Sequence, residues 1–166
     1  MRVTRATDYA LHALMYMVRH MTLLPLSNKV IARSEGIPAE YLAKALNRLS
    51  KAGIVTAQGG RNKGYTLARP PVEINLLEIV EAIEGEPLFA ECFLKTDECD
   101  ATASTCPIFG CWKEATDKVR EFLFKTSLAD VAWNHPDYCG KLMGRVRQPG
   151  QSLGHIESNS KNSSSS

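Results

Sequence analysis

The 166 residues are 44% hydrophobic and 23% charged, with a formal net charge of +2. Such a composition is ordinary for a globular domain, and no apolar run reaches the ~20 residues that a membrane-spanning helix needs. The opening segment has neither a clean apolar stretch nor a small-residue cleavage site, so a cytoplasmic location is expected, and five cysteines then point to metal binding or catalysis rather than to disulfides.

In chain order, Tyr9, Ala10, Ala13, Leu14, Met17, Val18 and Met21 recur at helical spacing and predict an amphipathic helix over 5–21. Thr4 or Thr7 is placed to cap it. Beyond Pro25, Ser27 opens a short helix that runs to Ser34 and stops at Glu35-Gly36. Pro38 starts a third helix. Leu42, Ala45, Leu46 and Leu49 share one face of it, with Glu40, Lys44, Asn47, Arg48 and Lys51 on the other and Gly53 at its end. Ile54–Ala57 and Tyr65–Ala68 are β-prone runs flanking the turn-rich QGGRNKG, a predicted hairpin. A helix over 75–84 is predicted to bury Leu76, Ile79, Val80 and Ile83. Residues 86–106 read as a loop carrying three cysteines, followed by a long helix over 107–126. Its stripe of Ile108, Trp112, Ala115, Val119, Phe122 and Leu123 is exposed unless something packs on it. Ser127–Asp130 resembles a capping box opening a last short helix, and the Gly/Ser/Asn-rich tail reads as disordered. The fold class is mainly α with a small β-hairpin.

Three helices followed by a hairpin is the winged helix-turn-helix order, in which one helix enters the major groove of DNA. Charge agrees with a polyanionic partner. Residues 1–75 hold 11 Lys/Arg against 4 Asp/Glu, whereas residues 76–135 hold 5 against 12. The third helix offers Lys44, Asn47, Arg48 and Lys51, with Glu40 and Tyr41 near its start. The hairpin tip presents Arg61 and Lys63 for phosphates or the minor groove, and Arg2, Arg5 and Lys29 add phosphate contacts.

Cys92, Cys99, Cys106 and Cys111 are separated by six, six and four residues. Zinc sites favour pairs two to four residues apart; wider spacing suits a loop wrapped around an iron–sulfur cluster held by several thiolates. Three loop cysteines leave one iron needing a further ligand, for which Cys111, Asp8, His12, water or a small thiol are candidates. Cys139 stands apart. A zinc-stabilised DNA-binding module is a rival, as is a cysteine-nucleophile enzyme, although no His/Asp arrangement near the cysteines supports an enzyme.

These segments resemble the IscR/NsrR/RirA family of regulators (the Rrf-two superfamily). MRVTRATDYALHALMYM is similar to the family's first helix. IPAEYLAKALNRLSKAGIVTAQGGRNKGYTLARP is similar to its recognition helix and wing, INLLEIVEAIEG with Cys92, Cys99 and Cys106 to its linker helix and cluster loop, and SLADVAW to the segment after its dimerisation helix. The resemblance covers about residues 1–134. It implies a winged helix-turn-helix domain over 1–72, then a linker helix, cluster loop and dimerisation helix over 73–135, with a tail over 136–166. It also implies a homodimer crossing through the helix at about 107–126, a palindromic double-stranded DNA operator, and a 2Fe-2S or 4Fe-4S cluster that sets DNA affinity in response to nitric oxide, oxygen or iron status. IscR-type proteins use a histidine three residues beyond the third cysteine, where this chain has Phe109. NsrR-type proteins use an aspartate of the first helix, donated by the other subunit, and Asp8 matches it. The family's wing arginine is replaced by Gly59. The alternative is a cluster-free member that answers to a small molecule or a protein partner.

Overall fold

Apolar residues at helical spacing wind the first segment into helix α1 (Arg5–Arg19), whose Ala10, Ala13, Leu14 and Met17 are fully buried. The structure is a computed structural model and describes residues 4–60, 63–89, 106 and 108–134. Helix α1 ends earlier than the predicted residue 21. The His20 N–H turns back to Tyr16 and Met17, its ring bonds the Tyr16 carbonyl at 2.8 Å, and Met21–Leu23 form a 3-10 turn.

Helix α2 (Asn28–Glu35) is capped by the Ser27 hydroxyl, which accepts from the Val30 N–H at 3.3 Å. It stops at Gly36, whose φ of 64° is the left-handed conformation glycine adopts freely. Helix α3 (Ala39–Lys51) follows Pro38 and packs on both α1 and α2 through Leu42, Leu46 and Leu49, all fully buried. Each such leucine contributes roughly 1.5–3 kcal/mol by leaving water.

Strands β1 (Val55–Gln58) and β2 (Gly64–Leu67) pair antiparallel, with Val55 opposite Leu67 and Gln58 opposite Gly64. Both begin or end one residue from the prediction. The Ile54 N–H bonds the Leu49 carbonyl at 2.9 Å and closes α3, so the strand starts after it. Leu26 adds an isolated bridge to β2, exchanging backbone hydrogen bonds with Tyr65 at 3.1 and 2.8 Å. That approach needs Gly64, since a Cβ there would stand 2.8 Å from the Leu26 carbonyl oxygen.

Helix α4 (Leu76–Glu84) starts in a capping box, Asn75 and Glu78 each bonding the other's backbone N–H at 2.9 and 2.7 Å. Helix α5 (Phe109–Lys125) packs on α4. Helix α6 (Leu128–Asn134) opens with the predicted Ser127–Asp130 box, and the Leu128 N–H bonds the Ile74 carbonyl at 2.7 Å. Leu128 and Ala132 of α6 enter the same core as α1, α3 and α4, so the end of the described chain returns to its beginning. The architecture is the expected one, mainly helical with a two-stranded antiparallel hairpin. No described helix is long and apolar enough to cross a membrane.

Candidate nucleic-acid interface and cysteine segment

Burial of Leu42, Ala45, Leu46 and Leu49 turns the opposite face of α3 outward and leaves Glu40, Tyr41, Lys44, Asn47, Arg48 and Lys51 exposed. Tyr41 and Lys44 stand one turn apart, and the Lys44 ammonium lies 5.7 Å from the Tyr41 ring centroid, a favourable cation–π arrangement. Along the seam between α1 and α3 runs a groove of about 570 Å³ lined by Thr4, Arg5, Tyr9, Tyr41, Lys44 and Arg48, among others. Arg5, Lys44 and two phenol rings beside an outward-facing helix suit a phosphate-bearing ligand. Lys29 is exposed in the first turn of α2, and Lys63 is exposed ahead of β2. Arg2 and Arg61 lie outside the described residues.

The groove had a partial signal in the sequence, through Arg5, Tyr41, Lys44 and Arg48. Thr4 and Tyr9 were legible only as cap and core positions of α1. Thr4 caps α1 without a side-chain bond to the helix; its hydroxyl and its N–H both go to Glu84 Oε1 at 3.0 Å. The buried Thr7 hydroxyl joins them on the same oxygen at 2.5 Å. Partial burial pushes the Glu84 carboxyl up, but the bonds from Thr7 and Thr4 and the nearby Arg48 charge outweigh this and hold it below its ordinary value. Arg48 itself, although exposed on α3, turns its guanidinium to the Ile83 carbonyl at the end of α4. Helix α4 has no basic residue in its last turn, so its negative pole takes a cation from α3 instead.

Asp8 is 61% exposed on α1 and faces His12 one turn on, 3.4 Å away. The other ring nitrogen of His12 lies 3.4 Å from Glu35, a contact of ion-pair range that lacks hydrogen-bond alignment. Glu35 is buried at the end of α2 and also meets Arg19 at 3.6 Å. The Glu35 carboxylate, outweighing the burial of the ring and helped by Asp8, raises the His12 pKa above 6.5. His12 is therefore committed to a bridge between α1 and α2. Asp8 keeps exposed carboxylate surface.

Cys106 is a free, half-buried thiol three residues ahead of α5, and its carbonyl accepts from the Phe109 N–H at 3.2 Å. Cys111 is also free and is exposed on α5. Cys92, Cys99 and Cys139 lie outside the described residues. Among the described residues no three His, Cys, Asp or Glu side chains gather as a metal site. The long helix divides its apolar residues. Trp112 and Leu123 are half-buried on the side of Thr116, whereas Ile108, Ala115, Val119 and Phe122 face outward.

Residues 3–134 match the profile of the Rrf2 family, described as iron-dependent transcriptional regulator. The HTH-type transcriptional regulator NsrR of Shouchella clausii is 30% identical over 137 residues, 82% of this chain and 92% of that protein. Protein rrf2 of Nitratidesulfovibrio vulgaris is 30% identical over 131 residues, 79% and 87% of the two chains. Among solved structures, IscR of T. potens superimposes with a TM-score of 0.61 at 28% identity, covering 81% of this chain and 88% of that one. CymR, the global cysteine regulator of B. subtilis, gives 0.66 at 26% identity over 80% and 96%.

Proposed function

Because the chain belongs to the Rrf2 family of transcriptional regulators, we propose that it is a homodimeric DNA-binding regulator whose operator affinity is set by an iron–sulfur cluster. In this reading α3 is the recognition helix. Glu40, Tyr41, Lys44, Asn47 and Lys51 address the major groove and its edges, while Arg2, Lys29, Arg61 and Lys63 hold phosphates on either side. The outward stripe of Ile108, Ala115, Val119 and Phe122 on α5 packs against the same stripe of a second copy. Two recognition helices related by a two-fold axis then require a palindromic operator. The functional units are a winged helix-turn-helix domain over 1–72 and a linker, cluster and dimerisation region over 73–135, followed by a tail.

The observation that carries the sensing part is Cys106, a free thiol held at the head of α5 and half shielded from water. Cys92, Cys99 and Cys106 would hold the cluster, with Asp8 of the partner subunit or Cys111 completing it. When bound, the cluster supplies a thiolate-held centre that nitric oxide, oxygen or iron shortage alters. The chain's own part is to order the segment between α4 and α5. That order sets the separation of the two recognition helices, and a few kcal/mol between two arrangements suffices to switch affinity. His12 holds Asp8 on the exposed side of α1 and is itself held by Glu35.

The test is anaerobic purification with a visible spectrum and iron and sulfide assays on one sample, repeated on Cys99→Ala. Brown wild-type protein with iron and sulfide in similar amounts, and a colourless but folded variant, are expected. Colourless wild-type protein after reconstitution would turn the reading to the alternative, a cluster-free member of the family that answers to a small molecule or protein partner.

A further inference from the structure

We infer that Arg48 is a positioning residue that fastens the recognition helix to the end of α4, rather than a contact to DNA phosphate. The inference rests on the DNA-binding reading above. The last turn of α4 ties three elements. Arg48 of α3 donates to the Ile83 carbonyl. Thr4 and Thr7 of α1 donate to Glu84. Arg120 of α5 donates to Glu81 Oε1 and to the Leu88 carbonyl, both at 2.6 Å, and Glu81 Oε1 also takes the Leu88 N–H at 2.9 Å. Immediately beyond lies the segment that carries Cys92 and Cys99.

The chemistry of this turn separates Arg48 from its neighbours on α3. The carbonyls of a helix's last turn lack partners within the helix and carry its negative pole. Gly85 satisfies the Glu81 carbonyl through its N–H at 2.9 Å; the Ile83 carbonyl takes Arg48. Ile83 is fully buried, so the bond to its carbonyl is shielded from solvent competition. The Glu84 carboxylate beside it offsets the positive charge that Arg48 shows to a polyanion. Lys44, one turn earlier, lies over the Tyr41 ring and makes no ion pair among the described residues. A shift at the end of α4 therefore reaches α1 through Thr4 and Thr7 and α3 through Arg48, in addition to the apolar core that the three helices share.

Counting released counterions tells a phosphate contact from a latch. The full-length protein is titrated with a DNA duplex selected for tight binding from a random pool, across a series of salt concentrations. A variant of the homodimer loses its contact from both protomers, so a residue that holds one phosphate in each lowers the slope of log affinity against log salt by about 1.8. Lys63→Ala, at a residue read above as holding phosphate, is expected to show that change. Arg48→Ala is expected to keep the wild-type slope while binding roughly a hundredfold more weakly, the scale of one charge-assisted hydrogen bond lost from each protomer. Arg48→Gln, neutral but still able to donate to the Ile83 carbonyl, should recover part of that affinity, again with the slope unchanged. Should Arg48→Ala fail to fold, the Gln variant decides by its slope. A slope reduced by about 1.8 in either Arg48 variant, or wild-type affinity in Arg48→Ala, overturns the inference and leaves the regulator reading standing. A wild-type chain that selects no duplex removes both.

Discussion

The carboxylate of Glu84, the last residue of α4, takes both the main-chain N–H and the hydroxyl of Thr4, the cap of α1, each at 3.0 Å. Residues 80 positions apart thus share one oxygen, and the bonds favour the ionised carboxylate. A carboxyl whose folded pKa is depressed stabilises the fold above its unfolded value, near 4.5, and loses that contribution as pH falls through the depressed value. Wild-type protein should lose melting temperature across that acid window more steeply than Glu84→Gln. The variant should be the less stable of the two near neutral pH. Parallel pH profiles would refute the role.

His12 behaves with the opposite sign. Its pKa is raised, so the stabilisation it draws from Glu35 is complete below about 6.5 and is lost as pH rises through the folded value. Glu35→Gln should bring the His12 titration midpoint down in an NMR titration and cost roughly 1–2 kcal/mol at mildly acidic pH. An unmoved midpoint would mean that Glu35 does not govern the ring.

Gly64→Ala drives a Cβ to within 2.8 Å of the Leu26 carbonyl oxygen and 3.0 Å of its nitrogen. Backbone cannot rotate away as a side chain can, so the Leu26–Tyr65 bridge must open. The expected loss is about 1–3 kcal/mol by chemical denaturation, accompanied by faster amide exchange at Tyr65. Full retention of stability would show that the hairpin relaxes freely.

Phe122 is 64% exposed on α5, in line with Val119 and Ile108. An aspartate there places charge in the centre of the proposed dimer seam. Phe122→Asp should sediment as a monomer while its helical circular dichroism is kept, because the core formed by α1, α3, α4 and α6 does not include Phe122. A variant that remains dimeric would place the interface elsewhere.

The helices, the hairpin and the outward part of the α5 stripe were legible in the sequence because each depends on local periodicity, caps and turn residues, whereas Trp112 and Leu123 of that stripe turn inward. Ser27, and Ser127 with Asp130, mark their helix starts within four residues of chain. The outward cations of α3 followed from its leucines, which can bury only one face. What local pattern does not encode is which distant group a polar side chain meets. Thr4 reads as a cap but serves Glu84; Arg48 reads as part of a basic face but turns to the end of α4; and Glu35 reads as a helix stop but is a buried anion between His12 and Arg19. The return of α6 onto α1 is of the same kind. Burial and helix-end electrostatics arise only when elements meet, so the tertiary structure alone decided these partners, whereas the sequence by itself determined which elements there were to bring together.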